Sequence, residues 1–242
     1  MKTNKTTIGE IAADDYRAAA IFSKYNIDFC CKGHRTLKEV CKKRGIEESL
    51  LIDELDRAKN NSANQSFDYK SWSVDLLADY IEKTHHRYVA EKTPVLRKSL
   101  NELCTLHGEN HPELFEINTL FTESVLDLSA TMRKEEQILF PFIKKIKEAQ
   151  TKGLFLEIAH FGTLENQIIL NKEEHDTVGH RFKKIAVLTK KYTPPAETCN
   201  TYKVTFAMLK EFESDLQKHI HLENNILFPK AVSLEKSLDK VL

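Results

Sequence analysis

The chain has 242 residues, and its 36 Lys and Arg residues balance its 36 Asp and Glu residues. This length suits one large domain or two smaller ones, and the balanced charge argues against a nucleic-acid partner and against an acidic tail. Only 7 Gly and 6 Pro residues interrupt a chain that is rich in Glu, Lys, Leu and Ala, which favours helices over hairpins.

The N-terminus and the cysteines indicate a reducing environment. The opening stretch MKTNKTTIGE has no apolar core of the signal-peptide type, and no apolar run approaches the roughly 18 residues of a membrane span. The 5 cysteines are an odd number, which does not suit a secreted disulfide framework. We therefore expect a cytoplasmic protein with reduced thiols and no membrane partner.

Three short helices are predicted in a small N-terminal domain, residues 1–60. The first extends from about Ile8 to Tyr25, where apolar residues recur with helical spacing. Thr36 is a predicted N-cap for a second helix that ends at Gly45, and the third covers Glu47 to Lys59.

A polar, non-periodic segment at residues 61–68 is the predicted linker to a larger domain, residues 69–242. Four long helices are predicted there: about Val74–Leu106, Pro112–Gln150, Leu164–Tyr192 and Thr198–Val232. Short connections between long amphipathic helices make neighbours antiparallel, which predicts an all-α, up-down four-helix bundle.

One phrase occurs twice in the predicted bundle, 88 residues apart: TMRKEEQILFP begins at Thr131 and HIHLENNILFP begins at His219. Side chains four residues apart lie on one helix face. His219 therefore neighbours Glu223, and Thr131 neighbours Glu135. Two carboxylates near an apolar seam indicate a bound cation, because a buried carboxylate without a partner is costly.

Histidines on the other two helices complete a candidate metal site. His86 and His175 lie 89 residues apart, so the repeat covers a whole helical hairpin. Packing two such hairpins about a pseudo-two-fold axis brings five residues to one level: His86, Glu135, His175, His219 and Glu223. Glutamates that bridge two metals, with histidines as terminal ligands, form a non-haem di-metal centre in helix bundles. Iron suits these ligands, as do manganese and zinc.

Each copy of the phrase ends in a proline, Pro141 or Pro229. A proline inside a helix lacks the amide donor and crowds an earlier carbonyl. We expect a helix end or a kink just beyond each Glu, and a kink would open the bundle over the metals for a small ligand.

Four segments carry a resemblance to a known family: HLENNILFP, KEEQILFP, EEHDTVG and the N-terminal DFCCKG. Together they resemble the iron–sulfur cluster repair di-iron proteins, the RIC family, over nearly the whole chain. The resemblance implies a paired-cysteine N-terminal domain and a hemerythrin-like domain with a di-iron centre. In that centre Glu135 and Glu223 would bridge the irons, and His86, His175 and His219 would be the histidine ligands.

The same resemblance implies a cytoplasmic protein that restores iron–sulfur clusters damaged by nitric oxide or oxidants. Its partners would be damaged iron–sulfur proteins, and its small ligand nitric oxide or oxygen. Separately, the ~60-residue N-terminal domain has a marginal core on its own, so we expect it to dock on the rest of the chain or to pair with a second copy as a homodimer. Whether it donates iron or acts on nitric oxide, and so whether it is an enzyme, stays open. The alternative is a hemerythrin-like protein that binds or senses oxygen or nitric oxide.

The sequence departs from the family pattern at Thr131, where the family has histidine. A hydroxyl is a poor iron ligand beside imidazole, so we predict one protein ligand fewer and a loosely held second iron. Water, an exogenous ligand or another side chain would fill the gap. His107 follows His86 by 21 residues, which is ~31 Å along a straight helix. It could approach only through a bend near Pro94, and we expect it in a loop or outside the ligand set.

The remaining histidines are predicted not to be ligands, although hemerythrins carry a second histidine on the third helix, which keeps His180 as a spare. They are His85, His111, His160, His180 and His221.

Cys30 and Cys31 are the candidate catalytic residues. A disulfide between sequence neighbours is strained, and the nearby cations Lys32, His34 and Arg35 would favour the thiolate. The thiols could exchange redox equivalents, contact iron or a cluster transiently, or form an intermolecular bridge, and the alternative is two buried apolar side chains. The resemblance favours a functional pair. The other cysteines are predicted to be structural: Cys41, Cys104 and Cys199.

Overall fold

The structure is a computed structural model that describes residues 6–60, 67–154, 163–196 and 198–238. Within these ranges the chain is helical, and the one β-type contact is an isolated bridge between Thr7 and Thr36. The predicted all-α class is confirmed. Most of the predicted linker, residues 61–68, lies outside the described ranges.

None of the helices in the described part of the chain is both long enough and apolar enough to span a membrane.

The chain divides into two compact units. The first comprises Met1–Leu77 together with Ile220–Leu242, and the second comprises Ala78–His219. The domain boundary at residues 61–68 stays a prediction.

Four helices open the first unit: α1 Ile8–Asp14, α2 Ala18–Lys24, α3 Leu37–Arg44 and α4 Glu48–Asn60. Thr36 caps α3 in a capping box with Glu39, and Gly45 ends it with φ +65°, as the sequence predicts. The single predicted helix from Ile8 to Tyr25 is wrong. Asp15 is extended and its carboxylate accepts hydrogen bonds from the backbone and guanidinium of Arg17, which separates α1 from α2.

A 3₁₀ turn at Tyr69–Ser71 precedes the long helical segments of the chain. In order, these are α5 Val74–Tyr80, a π-helical turn Ile81–His86, α6 Arg87–His107, α7 Glu113–Lys134, a π-helical turn Glu135–Leu139, α8 Phe140–Lys152, α9 Leu164–Leu188, α10 Asn200–Leu222, a π-helical turn Glu223–Leu227 and α11 Phe228–Leu238. The bounds of these segments agree closely with those of the four predicted long helices.

Side-chain contacts show that neighbouring helices of the second unit are antiparallel. In each pair of neighbouring helices, a contact made later on one helix is made earlier on the other. The contacts are Asn101–Asn118 and His86–Glu136 for the first and second long helices, Thr131–Glu174 and Asp127–Arg181 for the second and third, and His85–Asp215 and Tyr88–Glu211 for the first and fourth. The fully buried rings of Phe121, Phe182 and Phe212 pack together between these helices. This is the up-down helical bundle predicted from the sequence.

The third long helix ends earlier than predicted. Lys190, Lys191 and Tyr192 all have positive φ, at +47°, +58° and +60°, so the right-handed helix α9 stops at Leu188. Left-handed backbone is unfavourable for residues with a Cβ atom. The sequence TPPAET that follows predicts a stop, but not the residue at which it occurs.

In the first unit, Asn225 in the last π-helical turn fastens this segment to the N-terminal helices. Its amide donates to the carbonyls of Phe29 and Cys30 at 3.2 and 3.3 Å. A Cβ atom on Gly9 or on Gly33 would lie 2.4 Å from the Asn225 side-chain oxygen. Glycine at both positions therefore permits the close approach.

Candidate metal centre

Three π-helical turns lie where the predicted ligands occur. In the two copies of the repeated phrase, the amide of Phe140 donates to the carbonyl of Glu135 and the amide of Phe228 donates to that of Glu223. Each bond spans five residues instead of the four of an α-helix. The prolines follow at the second position of the next helices. The repeated phrase therefore folds into the same local structure twice.

His86, Glu135 and His219 meet inside the second unit, and each side chain is at most 2% exposed. Each offers a ligand atom within 4.8 Å of the others. His86 Nε2 lies 3.1 Å from His219 Nε2 and 3.4 Å from Glu135 Oε2. Burying a carboxylate beside two imidazoles is favourable when a cation is shared among them.

Glu223 begins the π-helical turn that follows α10. It is fully buried and follows His219 by four residues, a spacing that places two side chains on one helix face.

Two residues of α9 approach the other oxygen of the Glu135 carboxylate. His175 Nε2 lies 3.8 Å from Oε1, and the amide nitrogen of Asn171 donates to Oε1 at 2.9 Å. Both α9 side chains are 1% exposed. The carboxylate thus presents Oε2 to His86 and Oε1 to α9, an orientation suited to bridging.

Sequence reasoning missed Asn171. The available signal is its place one turn before His175, which puts both side chains on the same face of α9.

Thr131 is buried, and its hydroxyl donates to the carbonyl of Asp127 at 3.1 Å and to Glu174 Oε2 at 2.6 Å. Lys134 donates to the other oxygen of Glu174 at 2.7 Å. Burial raises the pKa of Glu174, but the hydrogen bonds from Lys134 and Thr131 outweigh it, so the net shift of this pKa is downward. Thr131 therefore has a hydrogen-bonding role in place of the histidine that the family pattern predicts.

A carboxylate orients each histidine of the adjacent pair. Glu136 Oε1 lies 2.9 Å from His86 Nδ1, and Asp215 Oδ1 lies 2.9 Å from His85 Nδ1. A carboxylate on Nδ1 fixes the tautomer and leaves Nε2 free to bind a metal. His86 Nε2 faces Glu135 and His219, which supports His86 as the ligand of the two; its role as a ligand stays a prediction.

Four further histidines within the described ranges have surroundings of other kinds. His107 ends α6 with Nε2 3.2 Å from the sulfur of Cys199, and His111 is paired with Glu113. His180 is exposed. His221 is buried against Tyr16 and Phe29, and burial lowers its pKa to about 3. His160 lies outside the described residues.

Imidazole and carboxylate donors that converge in a buried place fit a non-haem metal ion, with iron, manganese and zinc all suited to them. The donors come from facing helices, as in di-metal carboxylate bundles. The full ligand set stays a prediction.

Asp28 controls the environment of the paired cysteines in the first unit. Its carboxylate accepts from Cys30 Sγ at 3.4 Å and from the amide of Cys31 at 3.0 Å. The two sulfurs lie 3.8 Å apart as thiols. The hydrogen bond with Cys31, burial and the charge of Asp28 all raise the pKa of Cys30 well above its usual value. The prediction of a favoured thiolate is therefore wrong for Cys30, because its hydrogen bond with Cys31, its burial and the charge of Asp28 all favour the neutral thiol.

The remaining cysteines differ from one another in exposure. Cys41 and Cys104 are buried, which agrees with a structural role. Cys199 is exposed, and its sulfur lies 3.2 Å from His107 Nε2. Any structural role of Cys199 is therefore not that of a side chain packed in the core.

Two family comparisons account for most of the chain. Residues 77–231 match the Hemerythrin HHE cation binding domain, and residues 4–59 match ScdA_N, a Domain of Unknown function (DUF542). The chain therefore belongs to the hemerythrin HHE cation-binding family, whose helical domain implies a non-haem iron-binding site.

Relatives that share both parts of the chain are named for one activity. The iron-sulfur cluster repair protein YtfE of Musicola paradisiaca is 32% identical over 96% of this chain and 98% of its own length. YtfE of Shigella boydii is 31% identical over 94% and 97%, and ScdA of Staphylococcus haemolyticus is 28% identical over 95% and 99%. The resemblance predicted from the sequence motifs is confirmed.

Proposed function

We propose that this chain repairs iron–sulfur clusters in damaged proteins and uses a non-haem di-iron centre to do so. The observation that carries the proposal is the buried group His86, Glu135 and His219 in a domain of the hemerythrin HHE family. The relatives named for cluster repair support it, because the similarity extends over nearly all of this chain and of theirs.

Five residues form the proposed ligand set: His86, Glu135, His175, His219 and Glu223. Glu135 is suited to bridging because its two oxygens face different helices. His219 and Glu223 form the one complete His–Glu pair, while the equivalent pair at Thr131 and Glu135 lacks its imidazole. The proposed centre therefore has one imidazole ligand fewer, and one of its irons would be released more readily.

The residues around the proposed ligands exclude water from the site and hold the ligand side chains in place. Glu136 holds the His86 ring through Nδ1, and the ligand side chains themselves are almost fully buried. Bound iron would supply redox chemistry and small-ligand binding, and it would also be the cargo delivered to a client. A site with one weakly held metal suits donation better than storage.

The N-terminal cysteines would contact the client. Cys31 is half-buried whereas Cys30 is buried with a raised pKa, so Cys31 is the thiol that would react first. The proposal includes a cytoplasmic location, nitric oxide or oxygen as the small ligand, and pairing of two copies through the N-terminal domain.

A repair assay with a nitric-oxide-damaged [4Fe–4S] enzyme tests the function. We expect the iron-loaded chain to restore activity to the damaged enzyme. The double variant Cys30→Ala, Cys31→Ala should keep its iron and lose most of the repair, with Cys41→Ala as the matched control.

Iron-loaded wild-type chain that restores nothing would contradict the repair function, and reversible binding of oxygen or nitric oxide in that case would indicate a sensor. Full repair by the double variant would contradict the role of the cysteines alone.

A further inference from the structure

Asn171 is a buried polar side chain in the metal centre that the ligand pattern leaves unexplained. It lies on α9, one turn before His175, and its side chain is 1% exposed. It contacts Glu135, the carboxylate at the middle of the group, at 2.9 Å. We propose that Asn171 is a positioning residue that fixes the Glu135 carboxylate for metal binding, an inference that rests on the proposed metal centre.

The chemistry of the two groups fixes the orientation of the amide. An ionised carboxylate can only accept hydrogen bonds, so the amide must present its NH₂ group to Glu135 Oε1. The amide oxygen of Asn171 faces Gln167 instead, which donates to it at 3.5 Å. Both ends of the amide are therefore assigned, and the end that faces the centre is a donor.

This hydrogen bond orients the carboxylate. Holding Oε1 against α9 leaves Oε2 directed at His86, whose Nε2 lies 3.4 Å away. His175, on the same helix as Asn171, places its Nε2 3.8 Å from Oε1. A carboxylate fixed in this way loses little rotational freedom when it binds metal, which is how residues behind the ligands raise metal affinity.

The residue one turn before Glu135 offers no such restraint. The Thr131 hydroxyl donates to the Asp127 carbonyl and to Glu174, so it is engaged away from Glu135. The helical turn before Glu135 therefore has no imidazole that could contact its carboxylate. The hydrogen bond that holds this carboxylate comes from Asn171 on α9. Asn171 and His175 together form a pair four residues apart that faces one oxygen.

The test replaces Asn171 with Leu, which has a similar volume and no donor. The metal-free full chain is titrated with Fe²⁺ without oxygen, and with Co²⁺, whose visible absorption reports the ligand geometry. We expect Asn171→Leu to lower the affinity for both ions by about 10–100-fold, the usual effect of losing a residue behind a metal ligand, and to change the Co²⁺ spectrum. Asn118→Leu is the matched control, because Asn118 donates to Asn101 on the same bundle, and it should keep the wild-type affinity.

Asn171→Ala serves as a second variant if the leucine does not fold, with circular dichroism and thermal melting as the check. Wild-type affinity in a folded Asn171→Leu or Asn171→Ala chain would overturn the inference while leaving the metal centre intact. A wild-type chain that binds neither ion would overturn the proposed centre and this inference with it.

Discussion

Thr131 lies one turn before Glu135, where the family pattern has a histidine. In the structure its side chain is 3% exposed and its hydroxyl bonds to Glu174. The position is therefore inside the bundle beside α9, and close enough to the ligand turn for an imidazole there to matter.

Restoring the histidine should strengthen the centre. Thr131→His places an imidazole four residues before Glu135, the same spacing as His219 and Glu223. We expect the second metal to bind at least about ten-fold more tightly, which is the lower end of what residues behind a metal ligand contribute, and elemental analysis should give more iron per chain.

Thr131→Val is the control for this change, because it keeps the branched shape and removes only the hydroxyl. It should leave the iron content unchanged while Glu174 loses one hydrogen bond. If Thr131→His held no more iron than wild type, the side chain at 131 would not reach the metals.

At the scale of single residues, the sequence predicted those features that depend on helix spacing. His219 with Glu223 and Thr131 with Glu135 follow directly from the period of the α-helix. Asn171 and Glu136 were not predicted, because their roles depend on which atoms of Glu135 and His86 they face. The raised pKa of Cys30 was missed for a similar reason: hydrogen bonds to Asp28 and Cys31 are visible only in the folded loop.

Among the helical elements, the π-helical turns are the least predictable. Glu135–Leu139 and Glu223–Leu227 have identical first residues and identical Ile-Leu pairs. The repeat therefore predicts that the two segments share one backbone conformation, but it does not predict that this conformation is a π-helical turn. The prolines that follow predict a disturbed helix, and the wider turn is how the chain accommodates the disturbance. Helix ends were predicted better where a cap is strong, as at Thr36 and Gly45.

The contact between Gly9 and Asn225 gives a prediction at the element scale. Gly9→Ala places a Cβ atom 2.4 Å from the Asn225 side-chain oxygen, so we expect it to lower the free energy of unfolding by about 1–3 kcal/mol, as overpacking does. In an Asn225→Ala background the same change should cost less, because the obstructing oxygen is gone. Urea unfolding of the metal-free chain measures this coupling.

Gly45→Ala is the matched control for that cycle. Gly45 has positive φ, and a Cβ atom added there would meet nothing within 4 Å, so the cost of this change is local strain and should be equal in both backgrounds. Equal costs for Gly9→Ala in the two backgrounds would show that Asn225 does not pack on α1 as described.

At the scale of the whole molecule, composition and repeat predicted an all-α chain with a four-helix bundle. Low glycine and proline content favours helix, and a duplicated hairpin places its two carboxylate-bearing helices in equivalent positions. The compact unit formed by Met1–Leu77 with Ile220–Leu242 could not be predicted in this way. It depends on contacts such as those of Asn225 with the carbonyls of Phe29 and Cys30, which leave no periodic signal in the sequence.

The proposed function requires that the buried histidine and glutamate group holds iron. Elemental analysis of the purified chain, compared with Glu223→Ala and with the exposed control Glu91→Ala, tests it most directly. We expect iron in the wild type and in Glu91→Ala, and its loss from Glu223→Ala with helix content retained in circular dichroism. A Glu223→Ala chain that kept the full iron content of the wild type would contradict the account.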